Sequence, residues 1–337
     1  MSTIDVLEQP PAQELVETRA RGRFRGTPME AKIGAGILIV LLLAAVFAPL
    51  VAPYGSNELD FTHVYSAPSW SHLFGTDGAG RDLFSRTLYA LRLDLAIVLV
   101  VTYPSLVIGV LVGAVAGYFG GITDAVLARL VDVTIAFPYM VLVIAVIAIV
   151  GPGVKGVLIA VPIISWALYA RLARSQMLVL REQPFMLATV ALGYSTPRAL
   201  LRHAVPNLMR SSLIYSTLDV VANLLLLTSL AYLGLGAQPP TAELGTIIAD
   251  GQSALLNAWW VTTLPGLVVV LFGVGQIREV VDFWGRGFRT CGANCVEQPG
   301  PLGGGILSLA VGVGLLVLGA VLVWLAVRAY PEDPRES

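Results

Sequence analysis

The chain has 337 residues, of which 56% are hydrophobic and 13% charged, with a formal net charge of −1. A water-soluble domain carries about 25% charged residues, so this composition excludes an ordinary soluble enzyme or binding module. Several runs approach the roughly 20 apolar residues that span a bilayer as a helix, and they do not alternate as the strands of a membrane β-barrel do. The expected fold is therefore an all-α polytopic membrane protein. The summed charge says little about partners, and no nucleic-acid partner is expected.

In chain order, residues 1–32 are expected to be a disordered cytoplasmic tail. It holds Pro10, Pro11 and several acids, then Arg19, Arg21, Arg23 and Arg25, a composition that cannot support a core. The tail is polar and no small-residue cleavage site follows the first apolar run, so that run reads as a retained anchor rather than a signal peptide. Spans are expected at about 33–52, 93–117, 133–150, 154–172, 211–235 and 259–275. Pro104, Pro138, Pro162 and Pro265 fall within them, where neighbouring helices can satisfy the freed backbone groups. Trp259, Trp260 and Tyr232 stand at span ends, as an aromatic belt predicts.

Lys and Arg in the short loops orient the bundle. The arginines before the first span place the N-terminus inside. Alternation then places 173–210 inside, with Arg174, Arg181, Arg198, Arg202 and Arg210. It places 236–258, which has no Lys or Arg, outside. The long first loop, with Arg81, Arg86 and Arg92, is the exception to the pattern.

The inner segment 181–207 reads as two short helices joined by a turn. Pro184 suits a first helical position. Gly193 suits the left-handed residue that closes a helix. Thr196 followed by Pro197 reads as a second cap and start, and Pro206 as a stop. Phe185, Ala188, Thr189 and Leu192 share one face by spacing. Such a hairpin suits either docking to a soluble protein or lying on the membrane surface, and the residues alone leave the two open.

A family resemblance rests on these and other blocks. Ala188, Gly193, His203, Pro206 and Asn207 keep the spacing of the coupling loop of ATP-binding-cassette (ABC) importer permeases, whereas Leu187 and Thr189 depart from its Glu-Ala-Ala tripeptide. Phe74-Gly75-Thr76-Asp77, Gly80-Arg81-Asp82 and Ser85-Arg86 resemble a block of the dipeptide/oligopeptide/nickel permeases. Ala116-Gly-Tyr-Phe-Gly-Gly121, Arg129-Leu-Val-Asp132, Ala136-Phe-Pro138, Tyr169-Ala-Arg171 and the run Tyr232 to Pro240 are similar to the same family. The resemblance covers about residues 33–275 and is closest to the C-type partner of a heterodimer.

It implies a six-helix permease domain in a bacterial plasma (inner) membrane, multi-pass, with a cytoplasmic N-terminus. It also implies a second, B-type permease, two cytoplasmic ABC ATPase subunits and an extracytoplasmic solute-binding protein. The cargo implied is di- or oligopeptide, with a nickel chelate or another small solute as the alternative. A membrane scaffold or sensor that does not transport is the reading outside transport. ATP and Mg²⁺ would be used by the partner ATPases, with no cofactor bound by this chain. Segment 181–207 would be the ATPase-coupling loop.

No catalytic residue is expected. There is no G-x-x-x-x-G-K-[ST] phosphate loop, no H-E-x-x-H and no G-x-S-x-G elbow. The three histidines, His63, His72 and His203, are scattered. No metal site is expected either, because Cys291 and Cys295 form an isolated pair. Asp219, with Asn223 one turn later, is the candidate pathway residue, since an intramembrane acid should face water or a partner. A carboxylate satisfied by neighbouring helices is the other reading. The outer block Gly75, Thr76, Asp77, Gly80, Arg81 and Asp82 reads as a structural turn. Residues 276–337 depart from the family pattern and hold one further apolar run, 306–327, long enough to span.

Overall fold

The structure, a computed structural model, describes the backbone of residues 29–290 and, from residue 33 to 275, nearly all side chains. Most of the expected N-terminal tail, Cys291, Cys295 and the run 306–327 lie outside the described residues.

The described residues are all-α. They begin with α1 (Met29–Val46) and the single turn α2 (Ala48–Val51). A long loop leads to α3 (Leu83–Phe119), followed by α4 (Gly121–Ala136), α5 (Tyr139–Val150) and α6 (Val154–Leu180). Then come α7 (Pro184–Ala191), α8 (Thr196–Ala199), a π-helical turn (Leu200–Ala204) and α9 (Val205–Tyr232). The short α10 (Leu244–Gly251) and α11 (Trp260–Thr290) close the series. Three continuous helical stretches among the described residues are long and apolar enough to cross a membrane: Leu83–Phe119, Val154–Leu180 and Thr196–Tyr232.

Two expected spans come out differently. The span expected at 133–150 is instead a pair, α4 and α5, bent by 91°. Phe137 is extended (φ −89°, ψ 144°) because the residue before a proline is pushed out of the helical region, and Pro138 then opens α5. The expected first span, 33–52, is broken at Phe47. The helices of the second and fourth expected spans also run past their expected ends, α3 starting at Leu83 and α6 reaching Leu180. Their end turns are polar and lie beyond what hydropathy marks.

The centre of the bundle is the α3–α6 pair. Between apolar helices in lipid no hydrophobic force remains, so close packing must supply the attraction. Gly109, Gly113 and Gly117 recur every four residues on α3 and let the backbones touch. A Cβ at these positions would lie 2.5 Å from Tyr169 Cβ, 2.8 Å from Ala173 Cβ and 2.7 Å from Met177 Cβ. The same device joins α11 to α1, where a Cβ at Gly275 would lie 2.8 Å from Leu38 Cγ. One large apolar cluster unites α1, α3, α5, α6, α9, α10 and α11. A second, at the end of the bundle nearest α7, holds Val110, Ala114, Ala173, Met177, Met186, Leu200, Ala204 and Leu208.

Candidate functional site

Segment 181–207 is built around its glycine. Pro184 starts α7, with Gln183 extended before it. Gly193 has φ +72°, and the turn closes with Tyr194 N–H donating to Thr189 O (3.0 Å) and Gly193 N–H to Val190 O (3.0 Å). These two bonds satisfy carbonyls at the helix end that would otherwise lack partners. Nothing lies within 4 Å of where a Gly193 Cβ would stand, so the position demands glycine for its backbone angle and not for space. After the turn, Arg198 stands 5.9 Å over one face of the Tyr194 ring, and the His203 ring stacks with it at 5.7 Å.

Three details differ from the sequence reading. The cap before the second helix is Ser195, with Thr196 and Pro197 already inside it. Pro206 does not stop that helix. The chain passes from α8 through the π turn into α9 without a break, because the widened turn accommodates a residue with no N–H. There Val205 N–H reaches Leu200 O, and the Asn207 side chain donates to His203 O (3.2 Å). Lastly, the face shared by Phe185, Ala188, Thr189 and Leu192 is split. Thr189 turns inward, its hydroxyl donating to Met186 O (2.7 Å), and Met186 is buried beside it. Phe185 (42%), Leu187 (58%), Val190 (62%) and Leu192 (71%) remain open to solvent.

The second constellation surrounds Asp219 and Asn223. Asp219 Oδ2 accepts from the Tyr169 hydroxyl (2.8 Å) and from Asn223 Nδ2 (3.1 Å). Asn223 Nδ2 also donates to Thr102 Oγ1 (3.0 Å), while its Oδ1 accepts from the Tyr139 hydroxyl (3.3 Å). Tyr139 lies 2.7 Å from Ser165 Oγ. One amide thus ties α3, α5 and α9 together, and the carboxylate adds α6. The sequence reading named Asp219 and Asn223 but missed Thr102, Tyr139, Ser165 and Tyr169. Their partners stand 26 to 121 residues away along the chain, and no local pattern marks the network. The glycine spacing on α3, in contrast, was readable as a small-x-x-x-small repeat.

The outer block folds into a turn that starts α3. Asp82 caps the helix, its Oδ2 accepting from Ser85 N–H (2.8 Å) and Ser85 Oγ (2.7 Å), while its Oδ1 meets His72 Nδ1 (2.9 Å). Asp77 Oδ1 accepts from the backbone of Ala79 (2.9 Å) and Arg81 (3.0 Å), and Oδ2 from Arg81 Nε (2.7 Å). Thr76 Oγ1 accepts from Ser66 N–H (2.8 Å) and donates to His63 O. Gly75 and Gly80 both have positive φ, and Gly75 lies against the Trp260 indole. Two further blocks also meet: Arg171 Nη2 donates to Asp132 Oδ1 (2.6 Å) at an exposed site, where such a pair contributes about 0–1 kcal/mol.

Residues 109–278 match the model of the family described as binding-protein-dependent transport system inner membrane component. Residues 19–68 match the N-terminal transmembrane domain of oligopeptide transport permease C. The chain belongs to this permease family. Among its relatives is the probable D,D-dipeptide transport system permease protein DdpC of Escherichia coli, 35% identical over 265 residues, covering 77% of this chain and 89% of that one. The oligopeptide transport system permease protein OppC of Bacillus subtilis is 36% identical over 266 residues, covering 77% and 87%. The glutathione transport system permease protein GsiD of Escherichia coli is 38% identical over 250 residues, covering 74% and 82%. The protein is thus a multi-pass membrane permease subunit of an ABC importer, and segment 181–207, Asp219 and Asn223 all lie inside the matched region.

Proposed function

We propose that this permease is the C-type half of a heterodimeric importer that moves di- or oligopeptides inward across a bacterial plasma membrane. The relatives named for dipeptide, oligopeptide and glutathione transport support the cargo class. Its partners are a B-type permease, two cytoplasmic ABC ATPases that use ATP and Mg²⁺, and an extracytoplasmic solute-binding protein. The permease domain is 33–275, and 276–337 is an extension. The N-terminus and 181–207 face the cytoplasm, in keeping with their arginines.

The observation that carries the mechanism is the form of segment 181–207. It presents an apolar outer face at Phe185, Leu187, Val190 and Leu192. Its inner face is keyed into the bundle by Met186, Leu200, Ala204 and Leu208. A soluble ATPase gripping the outer face moves α7, and α7 cannot move without the helix Thr196–Tyr232, because packed helices shift as units. That helix carries Asp219 and Asn223, which line the pathway where the two permease halves meet. The carboxylate stays in an apolar bundle because Tyr169 and Asn223 hold it.

The test is reconstitution with the B-type permease, both ATPases and the binding protein. ATP hydrolysis should rise when binding protein loaded with peptide is added, and peptide should accumulate. An assembled complex whose hydrolysis ignores every peptide-loaded binding protein would overturn the cargo. Failure of the purified chain to hold any ATPase would overturn the coupling role.

A further inference from the structure

Two carboxylates that the transport mechanism does not use are sealed inside the described bundle. Asp94 on α3 and Glu243, the residue before α10, are both 0% exposed. Each has one oxygen bonded. Leu244 N–H donates to Asp94 Oδ2 (3.1 Å), and Ala237 N–H donates to Glu243 Oε2. Each also has one oxygen, Asp94 Oδ1 and Glu243 Oε1, buried with no hydrogen-bond partner. The bond from Leu244 sets the Asp94 carboxylate against the peptide that follows Glu243, and the two side chains act on each other electrostatically. Gly236 lets the carboxylate lie close against the connection, since a Cβ there would overlap Glu243 Oε2.

Two ionised carboxylates in such a place would leave two unpaired charges out of water, at a cost far above that of a single neutral acid. A proton held by the pair removes one of the two charges. We propose that Asp94 and Glu243 form a proton-binding site, the buried pair holding one proton between them, which fastens the α9–α10 connection to α3. Burial pushes Glu243 up to about 7. Three elements pack round the site besides the connection itself. Of their charged residues, Arg92 is two positions from Asp94, on the other side of α3. Arg86 and Asp250 face each other and Asp77 at the turn that starts α3. Asp219 lies 13 residues down α9 from its end at Tyr232, about 20 Å away. α11 carries no charged residue before 276. No cation on these elements therefore replaces the proton.

The direction follows from linkage. A group whose folded value is raised holds its proton in the fold after the unfolded chain has released it. The stability it gives is present in full below the ordinary glutamate value of 4.5 and falls away as pH rises through about 7. Above that, the connection between α9 and α10 loosens from α3.

The experiment uses the assembled complex in lipid nanodiscs. Its thermal midpoint is measured from about pH 5 to about pH 8, with the infrared carbonyl band of protonated carboxyls recorded at the acid end. Glu243→Gln and Asp94→Asn each put a neutral amide in place of one acid, so each removes the paired charge that a rise in pH would create. The wild type is expected to lose midpoint on going alkaline while the amide variants do not, and a protonated-carboxyl band should vanish in both. Parallel pH profiles for wild type and either variant would overturn the proposal, as would an unchanged band. If one variant fails to assemble, the other answers the same question alone.

Discussion

Replacing Gly193 by valine isolates the backbone demand of the coupling turn. A Cβ there meets nothing within 4 Å, so valine brings no clash, only the cost of holding a β-branched residue at φ +72°. That cost is about 1–2 kcal/mol, a factor of roughly 5–30 in the population of the closed turn. Opening the turn breaks the bonds from Tyr194 to Thr189 and from Gly193 to Val190, and frees α7 from the start of the long helix. Peptide uptake by the reconstituted complex should fall about 5-fold or more while the ATPases continue to turn over. Asparagine tolerates the left-handed region, so Gly193→Asn should keep most of the uptake, with alanine between the two. Measuring uptake and phosphate release in the same vesicles separates coupling from assembly. Valine transporting at the wild-type rate would refute the reasoning. So would asparagine and valine failing equally, since that would make the constraint one of space.

Gly113→Leu forces a side chain into the backbone of Ala170 and against Ala173, and should lower the thermal midpoint of the purified complex by an amount equivalent to about 1–3 kcal/mol. Gly36→Ala, where a Cβ meets nothing within 4 Å inside α1, is the control and should not lower the midpoint. Asp219→Leu strips the acceptor from Tyr169 and Asn223 and should cost about 1–3 kcal/mol of stability, whereas Asp219→Asn keeps an acceptor and should spare the fold while altering uptake. Equal midpoints for the two would show that the network does not hold the helices. Asp82→Ala removes the cap of α3 and the partner of His72, and should cost about 1 kcal/mol, read as faster proteolysis of the loop 52–82.

How much of this was legible in the sequence depended on the range of the interaction that decides it. Hydropathy located the long helices α3, α6 and α9, since crossing a bilayer is a property of a single segment, but it left most of α4 and all of α10 outside the expected spans. Gly193 was legible for the same reason, because a left-handed residue after an apolar turn is a local requirement. The bend at Phe137 was half legible. Proline marks a boundary, but whether a membrane helix merely kinks or turns by 91° depends on what packs on either side. Pro206 shows the converse failure. The stop rule assumes a helix with no spare width, and the π turn at Leu200–Ala204 supplies that width. Periodicity grouped Phe185, Ala188, Thr189 and Leu192, yet it has no knowledge of where the bundle lies. The bundle took Met186 and Thr189 and left the rest outside.

The same distinction says where the moving part should bend. From Thr196 to Tyr232 the helix is continuous, so a push on α7 reaches Asp219 through about 35 Å of nearly rigid rod. The rod is weakest where its regular ladder is interrupted, at the π turn and at Pro206, which lacks a donor. Both interruptions lie at the hairpin end, and the regular stretch from Asn207 onward carries the polar network. The bundle therefore puts its compliance next to the hairpin and its stiffness next to the polar network of Asp219 and Asn223. That ordering is what the proposed lever requires, and it fits the finding that the short helix and the span which sequence rules divide at Pro206 are built as one.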